Sequence, residues 1–522
     1  MRSKVFKNVK LYLACLAVAV LFAAIYSTTT TPLLQGHWGS DSAFFILVGQ
    51  GMTKGLMPYR DFFDMKGPYL FFIEYIGQLI CYGRTGAFIV QCINLSVCFY
   101  IIGKTSDLFS KRLIWLHRLV AMIPVLLVAV FTYEGGNLTE EYCLPWILAS
   151  LYFCLKYFKE SEEKKSYRHS IWVSLFNGAA VGVICFIRIT NAATIGAVLL
   201  SVFLVMLKKK EIKNALINLA MVFAGFAGTC AIPCIFFAAK NMLGEMLNQV
   251  FLFGFAYSAE VGFAEKFVNV ISSFKFFLLL LLLPVIACFI YREKWYMKLL
   301  SISSALLLLV AVTMGNVIYH YLTLFIPHVA LAVFIAYRNG GKILKVRKNI
   351  ICIVCFAVLF AGNSVWIAKS ALKGCFTVYS FVIAQPYGSS LDGVTTQLQS
   401  MPSVADYIYT GHENYDALEV ASYIPDEDKD SVYCYGEEYW SWWYGVTDII
   451  PAYKYMDWQS HYIELIPGLE QEIATWISDD GSTYIVTVTD DLVVSDEINK
   501  AIAENYSEEF ANGSYTLYRR NS

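Results

Sequence analysis

Long apolar runs dominate the chain. Runs of roughly 17 to 25 residues recur from Leu11 to about Leu372, each long enough to cross a ~30 Å hydrocarbon core as a helix. From about Lys373 the pattern turns polar, acidic and turn-rich, which predicts a membrane domain over 1–372 and a C-terminal domain over 373–522. In that tail, "DSVYCYG" and "STYIVTVTD" have the β-branched and aromatic content of strands, "SDEINKAIAENY" reads as a helix and "SYTLYRR" as a last strand. A small α/β domain is expected there.

Positive charge sets the topology. The Lys/Arg excess that marks cytoplasmic loops lies in "MRSKVFKNVK", "KTSDLFSKRLIWLHR", "KESEEKKSYRHS", "KKKEIK", "REKWYMK" and "RNGGKILKVRKN", and consecutive members must be separated by an even number of crossings. Most intervals hold two clear runs, such as Ala121–Tyr133 with Tyr142–Phe158, or Ile171–Ile187 with Thr190–Leu207. The first holds three: Leu11–Ser27, Tyr69–Tyr82 and Thr85–Gly103. The middle run is only about 14 residues long and carries Glu74 and Gln78, so it reads as an interfacial or re-entrant helix over about 69–82. Parity then holds with about 11 transmembrane helices, a cytoplasmic N-terminus and an extracytoplasmic C-terminal domain in the cell membrane. The acidic, aromatic and His-rich loops Thr28–Pro68, Tyr133–Glu141, Lys240–Val270 and Gly315–Tyr321 all fall on the outer face.

Composition agrees with this polytopic α-helical membrane class: of 522 residues, 57% are hydrophobic, 16% are charged and 16% are aromatic. A net charge of −1, with cations clustered between apolar runs and an acidic tail, argues against nucleic-acid binding. Most of the 14 cysteines sit inside apolar runs without the paired spacing of a zinc or redox motif, and read as small core hydrophobes. The basic, apolar start has the features of a signal peptide, but a non-cleaved first helix suits a chain with many later spans.

The first external loop, 28–68, directly after the first apolar run, places Asp41, Arg60, Asp61, Asp64 and Lys66 in one segment. Carboxylates and cations at headgroup depth suit transfer of a sugar from a lipid phosphate to a hydroxyl. That reaction needs a carboxylate to take the acceptor proton and cations to neutralise the leaving phosphate. "GSDS" followed in the same loop by "PYRDFFDMKGP", behind a long apolar first helix, resembles the first external loop of the GT-C membrane glycosyltransferases, among them the lipid A aminoarabinose transferase and the protein O-mannosyltransferases. Their loop carries an acidic pair and a Lys-Pro-Pro-Leu or His-Pro-Pro segment. Here Ser42 stands where the second acid would be, and Gly67 where the first proline would be.

The resemblance implies Asp41 as catalytic base, a polyprenyl-phosphate sugar donor, and an envelope glycan, teichoic acid, glycolipid or protein as acceptor. It also implies a second acidic site in "YEGGNLTEEY", with Glu140 or Glu141 in the role, and a late external turn, "GNVIYHYLTLFIPH", that closes the donor pocket with His320 and Tyr321. Lys66, Arg60 and Arg188 are the candidate phosphate partners, and Asp61 and Asp64 either orient these cations and the substrate or simply neutralise the loop. Glu140 and Glu141 also suit the first turn of a helix. Asn191 beside Arg188 and His328 beyond the late turn are further polar candidates, His328 the weaker. No cofactor is indicated and a divalent metal stays open, since no stretch has zinc-motif spacing. Trp440, Trp442 and Trp443 read as a membrane-interface belt, with a sugar platform as the alternative. A transporter or flippase of lipid-linked saccharides is the competing class; it predicts ionisable residues within spans and internal repeats. A receptor or assembly protein ranks last, because it leaves the first-loop acids and Lys66 unexplained.

Overall fold

The computed structural model describes residues 2–33, 39–109, 132–259, 261–315, 317–339, 412–436, 440–489 and 495–521, with a few isolated positions between 122 and 130 and at 372. The expected domain boundary at 372/373 and the last expected span lie outside the described residues, as does most of Ala121–Tyr133.

Among the described residues, seven helical runs are long and apolar enough to cross a membrane: Asn8–Tyr26, Arg84–Leu108, Ile171–Lys208, Ile212–Ala239, Phe263–Ile290, Trp295–Thr313 and Tyr319–Ala336. The first lies within α1 (Arg2–Tyr26), and the second within α4 (Arg84–Phe109). Two shorter helices intervene, α2 (Asp41–Thr53) and α3 (Pro68–Ile80). At 1.5 Å per residue, the 13 residues of α3 span about 20 Å, short of a bilayer core. Pro68 at its start fits, because the first helical position has no hydrogen bond to lose. The long first loop thus contains α2, which its modest apolar run "FFILV" did not announce.

Helix α5 (Thr139–Lys164) packs against α4. The Ile171–Lys208 run is two helices, α6 (Ile171–Arg188) and α7 (Ala193–Lys208). They are parted where Arg188 takes an extended backbone (φ −161°) before a short 3-10 turn. Helix α8 (Ile212–Ala239) lies along α6 at very close range. A Cβ on Gly178 would sit 2.0 Å from the Val222 carbonyl oxygen, and one on Gly225 would sit 2.1 Å from that of Leu175. Small residues here let two backbones meet, the usual source of helix association where lipid removes the hydrophobic drive. The expected loop Lys240–Val270 is largely helical instead, through Leu243–Leu247, a π-helical turn at Asn248–Phe253 and Gly254–Ala259.

The C-terminal part carries a four-stranded sheet in the order β1-β2-β4-β3. Strand β1 (Val432–Tyr435) runs parallel to β2 (Tyr484–Val488), while β4 (Tyr515–Arg520) is antiparallel to β2 and to β3 (Tyr506–Ala511). Helices Ser441–Thr447, Gln459–Leu465 and Leu469–Asp479 fill the crossover that a parallel pair requires. Both quoted strand segments, the last strand and the helix Asp496–Asn505 stand where the sequence places them. Strand β3 was not anticipated, because its exposed Ser507, Glu508 and Glu509 hide the strand pattern on a sheet edge. Trp440 and Trp443 are 1% and 0% exposed within the core, so these two form neither an interface belt nor a sugar platform, and Trp442 packs half-buried against the same core.

Two contacts tie this part to the first loop. Asp448 takes hydrogen bonds from Lys54 Nζ (3.2 Å) and Tyr82 OH (2.7 Å). The Phe63 ring lies within 5.0 Å of the rings of Phe253, Tyr455 and Tyr462, and the Phe63 amide donates to the Lys454 carbonyl at 3.1 Å. Replacing Gly178 by Leu should push α6 from α8 at a cost of about 1–3 kcal/mol. The check is thermal unfolding in detergent, where an unchanged Tm would mean that the two helices do not meet at Gly178.

Candidate active site

A cavity of about 390 Å³ opens where the first loop, the α6–α7 turn, the 243–259 segment, the turn before Tyr319 and the C-terminal part converge. Asp41, Asp64, Lys66, Arg188, His320 and Tyr321 all line it. Residues scattered over 280 positions of sequence thus share one space, and local structure explains how.

Asp41 is the first residue of α2, where the positive end of a helix favours a carboxylate. The stretch that follows α2 is stapled down. Tyr59, in a left-handed conformation (φ 75°), donates its hydroxyl to the Lys66 carbonyl at 2.8 Å. Gln249 gives its Nε2 to the Tyr59 carbonyl at 2.7 Å and accepts the Asp64 amide at 3.2 Å. Asp64, 7% exposed, accepts the Lys66 amide at 3.0 Å and lies 3.9 Å from its Nζ. Gly67 then meets the end of α6: its amide donates to the Ile187 carbonyl, and a Cβ there would lie 2.1 Å from the Phe186 carbonyl oxygen. At φ −80° its backbone is ordinary. Glycine is required for this backbone-to-backbone approach, which brings Lys66 within electrostatic reach of Arg188.

Arg188 stacks on the Tyr321 ring, its guanidinium carbon 3.8 Å from the centroid, and reaches Glu140 at 3.2 Å. Glu140, 1% exposed, also accepts from Thr139 at 2.9 Å and from Asn191 at 3.4 Å, and lies 3.8 Å from His320 Nε2. It holds Arg188 and His320 from behind. Glu141 turns away from the cavity, into hydrogen bonds with Tyr133 (2.8 Å), Gln91 (2.9 Å) and the Asn137 amide (3.0 Å). Arg60 and Asp61 are not brought to the cavity. They form a two-pronged pair at 3.0 and 2.8 Å, with the Arg60 side chain 56% exposed, and Asp61 also closes the 57–61 turn on the Met57 amide. His328 is buried between Ser304 and the Leu281 carbonyl.

Sequence reasoning missed Glu134, Asp457, Trp458 and Tyr462, which also line the cavity. Glu134 accepts from the His320 amide (3.1 Å) and faces His320 Nδ1 at 2.7 Å. It opens a run of left-handed residues, Glu134, Gly135, Gly136 and Asn137, for which "EGGN" was the available signal. The three tail residues had none, since long-range contact alone brings them in.

Burial pushes the Asp41 carboxyl up, but the positive charge of Lys66, backed by His320 and Arg188, outweighs it and holds the group below its ordinary value. Burial works against the Lys66 ammonium, yet Asp64 and Asp41 hold it protonated, well above the usual lysine range. For Asp64, burial outweighs the pull of Lys66, and its carboxyl is raised. The arrangement suits an anion bound between Lys66 and Arg188, with an ionised carboxylate beside it. It does not fit a divalent metal: Asp41 is flanked by cations, and among the described residues no three His, Cys, Asp or Glu side chains converge as ligands.

This arrangement, helical spans around a long first loop that holds α2 and leads into α3, is a fold found in solved structures. The solved structures that share it include ArnT from Cupriavidus metallidurans bound to undecaprenyl phosphate, at TM-score 0.57 and 13% identity over 98% of this chain and 97% of that one. The apo form of the same protein gives 0.56 and 14%, over 99% and 98%. The oligosaccharyltransferase AglB from Archaeoglobus fulgidus gives 0.43 and 12%, over 98% and 74%. No family model and no curated protein sequence matches the chain. The likeness to ArnT is one of fold; this chain is a polytopic helical membrane protein of that fold.

Two measurements check the geometry. Gly67→Ala should cost about 1–3 kcal/mol by prising the loop from α6, read as a fall in Tm in detergent; full stability would refute the close contact. The lowered Asp41 value means that its charge stabilises the fold above about pH 4 and that this contribution fades as pH falls through the lowered value. Asp41→Asn should therefore lower Tm at pH 7, with the gap to wild type narrowing below about pH 4; a gap constant down to pH 3 would contradict the pairing.

Proposed function

We propose that the protein is a membrane glycosyltransferase that moves a sugar from a polyprenyl-phosphate donor to a hydroxyl of a cell-envelope acceptor on the outer face of the membrane. The observation that carries this reading is one cavity lined by Asp41, Lys66 and Arg188 together, with apolar Val250, Phe251 and Phe255 in its wall. A lipid phosphate has both halves met there: cations for its charge and an apolar wall for its chain. The bound undecaprenyl phosphate of ArnT, a protein of the same fold, supports the donor class.

In this reading Asp41 is the base. The acceptor oxygen bonds to the anomeric carbon from the face opposite the phosphate, the bond from that carbon to the phosphate oxygen breaks, and the acceptor proton passes to Asp41. Polyprenyl phosphate leaves into the charge of Lys66 and Arg188, and the configuration inverts. A carboxylate held below its ordinary value is a weak base, so proton transfer runs late, once bonding to an oxocarbenium-like carbon has acidified the hydroxyl. Glu140 and Glu134 hold Arg188 and His320 in place, and Tyr321 supports the Arg188 guanidinium. Glu141 and Arg60 have no part in transfer. In the matching topology the N-terminus is cytoplasmic and 373–522 is an extracytoplasmic domain, of which Asp457, Trp458 and Tyr462 reach the cavity.

The experiment is transfer in membranes supplied with radiolabelled polyprenyl-phosphate hexoses and an envelope acceptor fraction. Asp41→Asn should lower transfer by at least about 100-fold while donor binding persists, and Lys66→Met should lose donor binding. Transfer that survives Asp41→Asn removes the base assignment. No transfer from any donor, together with lipid-saccharide translocation in vesicles, would make the protein a carrier.

A further inference from the structure

The cavity wall contributed by the C-terminal part has a different chemistry from the wall that carries Lys66 and Arg188. It presents Asp457, Trp458 and Tyr462, and the segment facing it adds Tyr257. Trp458 is half-buried and sits in the left-handed region (φ 53°, ψ 38°), a place few bulky side chains occupy. Such a conformation persists only where the surroundings fix it, and both neighbours of Trp458 are locked. Asp457 accepts the Ser441 amide at 2.9 Å and the Ser441 hydroxyl. Gln459, 0% exposed, bonds the carbonyls of Cys434 (2.8 Å), Tyr455 (3.2 Å) and Met456 (3.3 Å) and accepts the Gly436 amide (3.1 Å). The indole therefore stands on a rigid turn. His461 braces it edge-on at 5.7 Å and meets Tyr257 at 5.3 Å.

A flat aromatic face held at a fixed angle beside carboxylates is the chemistry that recognises a saccharide: axial C–H groups pack on the ring, and hydroxyls donate to the acids. Among the described lining residues the C-terminal part contributes no cation, and the two that a phosphate needs, Lys66 and Arg188, come from the other elements of the cavity. The geometry points to Trp458 as the stacking platform for an uncharged pyranose ring of the acceptor, which makes the acceptor a glycan or glycolipid headgroup and not a polyol phosphate. This rests on the glycosyltransferase reading above, and deepens it by naming what the acceptor must present.

The test is saturation-transfer NMR on the full-length chain in a detergent without a sugar headgroup. The probes are methyl β-glucopyranoside, methyl α-mannopyranoside and glycerol phosphate. Wild type and Asp41→Asn should both bind a pyranoside, Trp458→Leu should bind it at least about fivefold more weakly, and Trp458→Tyr should retain it. In transfer assays Trp458→Leu should raise the acceptor KM and leave the donor KM unchanged. The proposal is overturned by a leucine variant that binds like wild type, by preference for glycerol phosphate, by a wild type that binds neither pyranoside, or by a rise confined to the donor KM. If pyranoside binding follows the expected pattern while no donor supports transfer, the platform stands and the glycosyltransferase reading fails.

Discussion

A charge withdrawn from water must meet its opposite, and the centre of this protein is arranged around that need. Lys66 cannot sit in the cavity wall unless Asp64 and Asp41 are near, and Arg188, between two apolar helices, needs Glu140. The pairing fixes the surrounding backbone. Tyr59 and Gln249 hold the 59–66 stretch so that the ammonium arrives beside its carboxylates, and Gly67 lets that stretch touch the end of α6. The site's chemistry and the packing of its loops are therefore one problem, with Gly67 as the closest point of contact.

Within this frame the polar groups divide by depth. Asp41, Lys66, Arg188 and Glu134 line the cavity, while Glu140 stands a step behind and pairs with Arg188. Glu141, adjacent in sequence to Glu140, supports the left-handed 134–137 turn from the opposite side. One helical step, about 100° of rotation, separates two carboxylates into unrelated tasks.

What the sequence discloses follows the range of the interactions. Asp41, Asp64 and Lys66 lie in one segment, so a run of charges beside an apolar stretch was enough to single them out. Arg188 was visible because an arginine between two apolar helices needs a partner. Arg60 and Asp61 carried the same local signal, yet their pairing is satisfied at the surface, and only the fold of the 57–61 turn separates them from Lys66. The tail residues at 457, 458 and 462 gave no signal, because sequence spacing says nothing about which distant loop will cover a cavity. Helices were legible where apolar runs are long; α2 and the 243–259 segment are short and broken, and β3 is an edge strand whose outward face is acidic.

The bonds between the first loop and the tail also set an order in time. Lys54 and Asp448 are 394 residues apart in the chain. At a synthesis rate of about 5–20 residues per second, the loop waits roughly 20–80 s for the partners that cover Phe63. Through that interval one wall of the cavity is not yet made, and Phe63 lacks Tyr455 and Tyr462, two of the three rings that pack on it. The nascent chain thus carries Asp41, Asp64 and Lys66 from early in synthesis without the wall that Asp457, Trp458 and Tyr462 later complete.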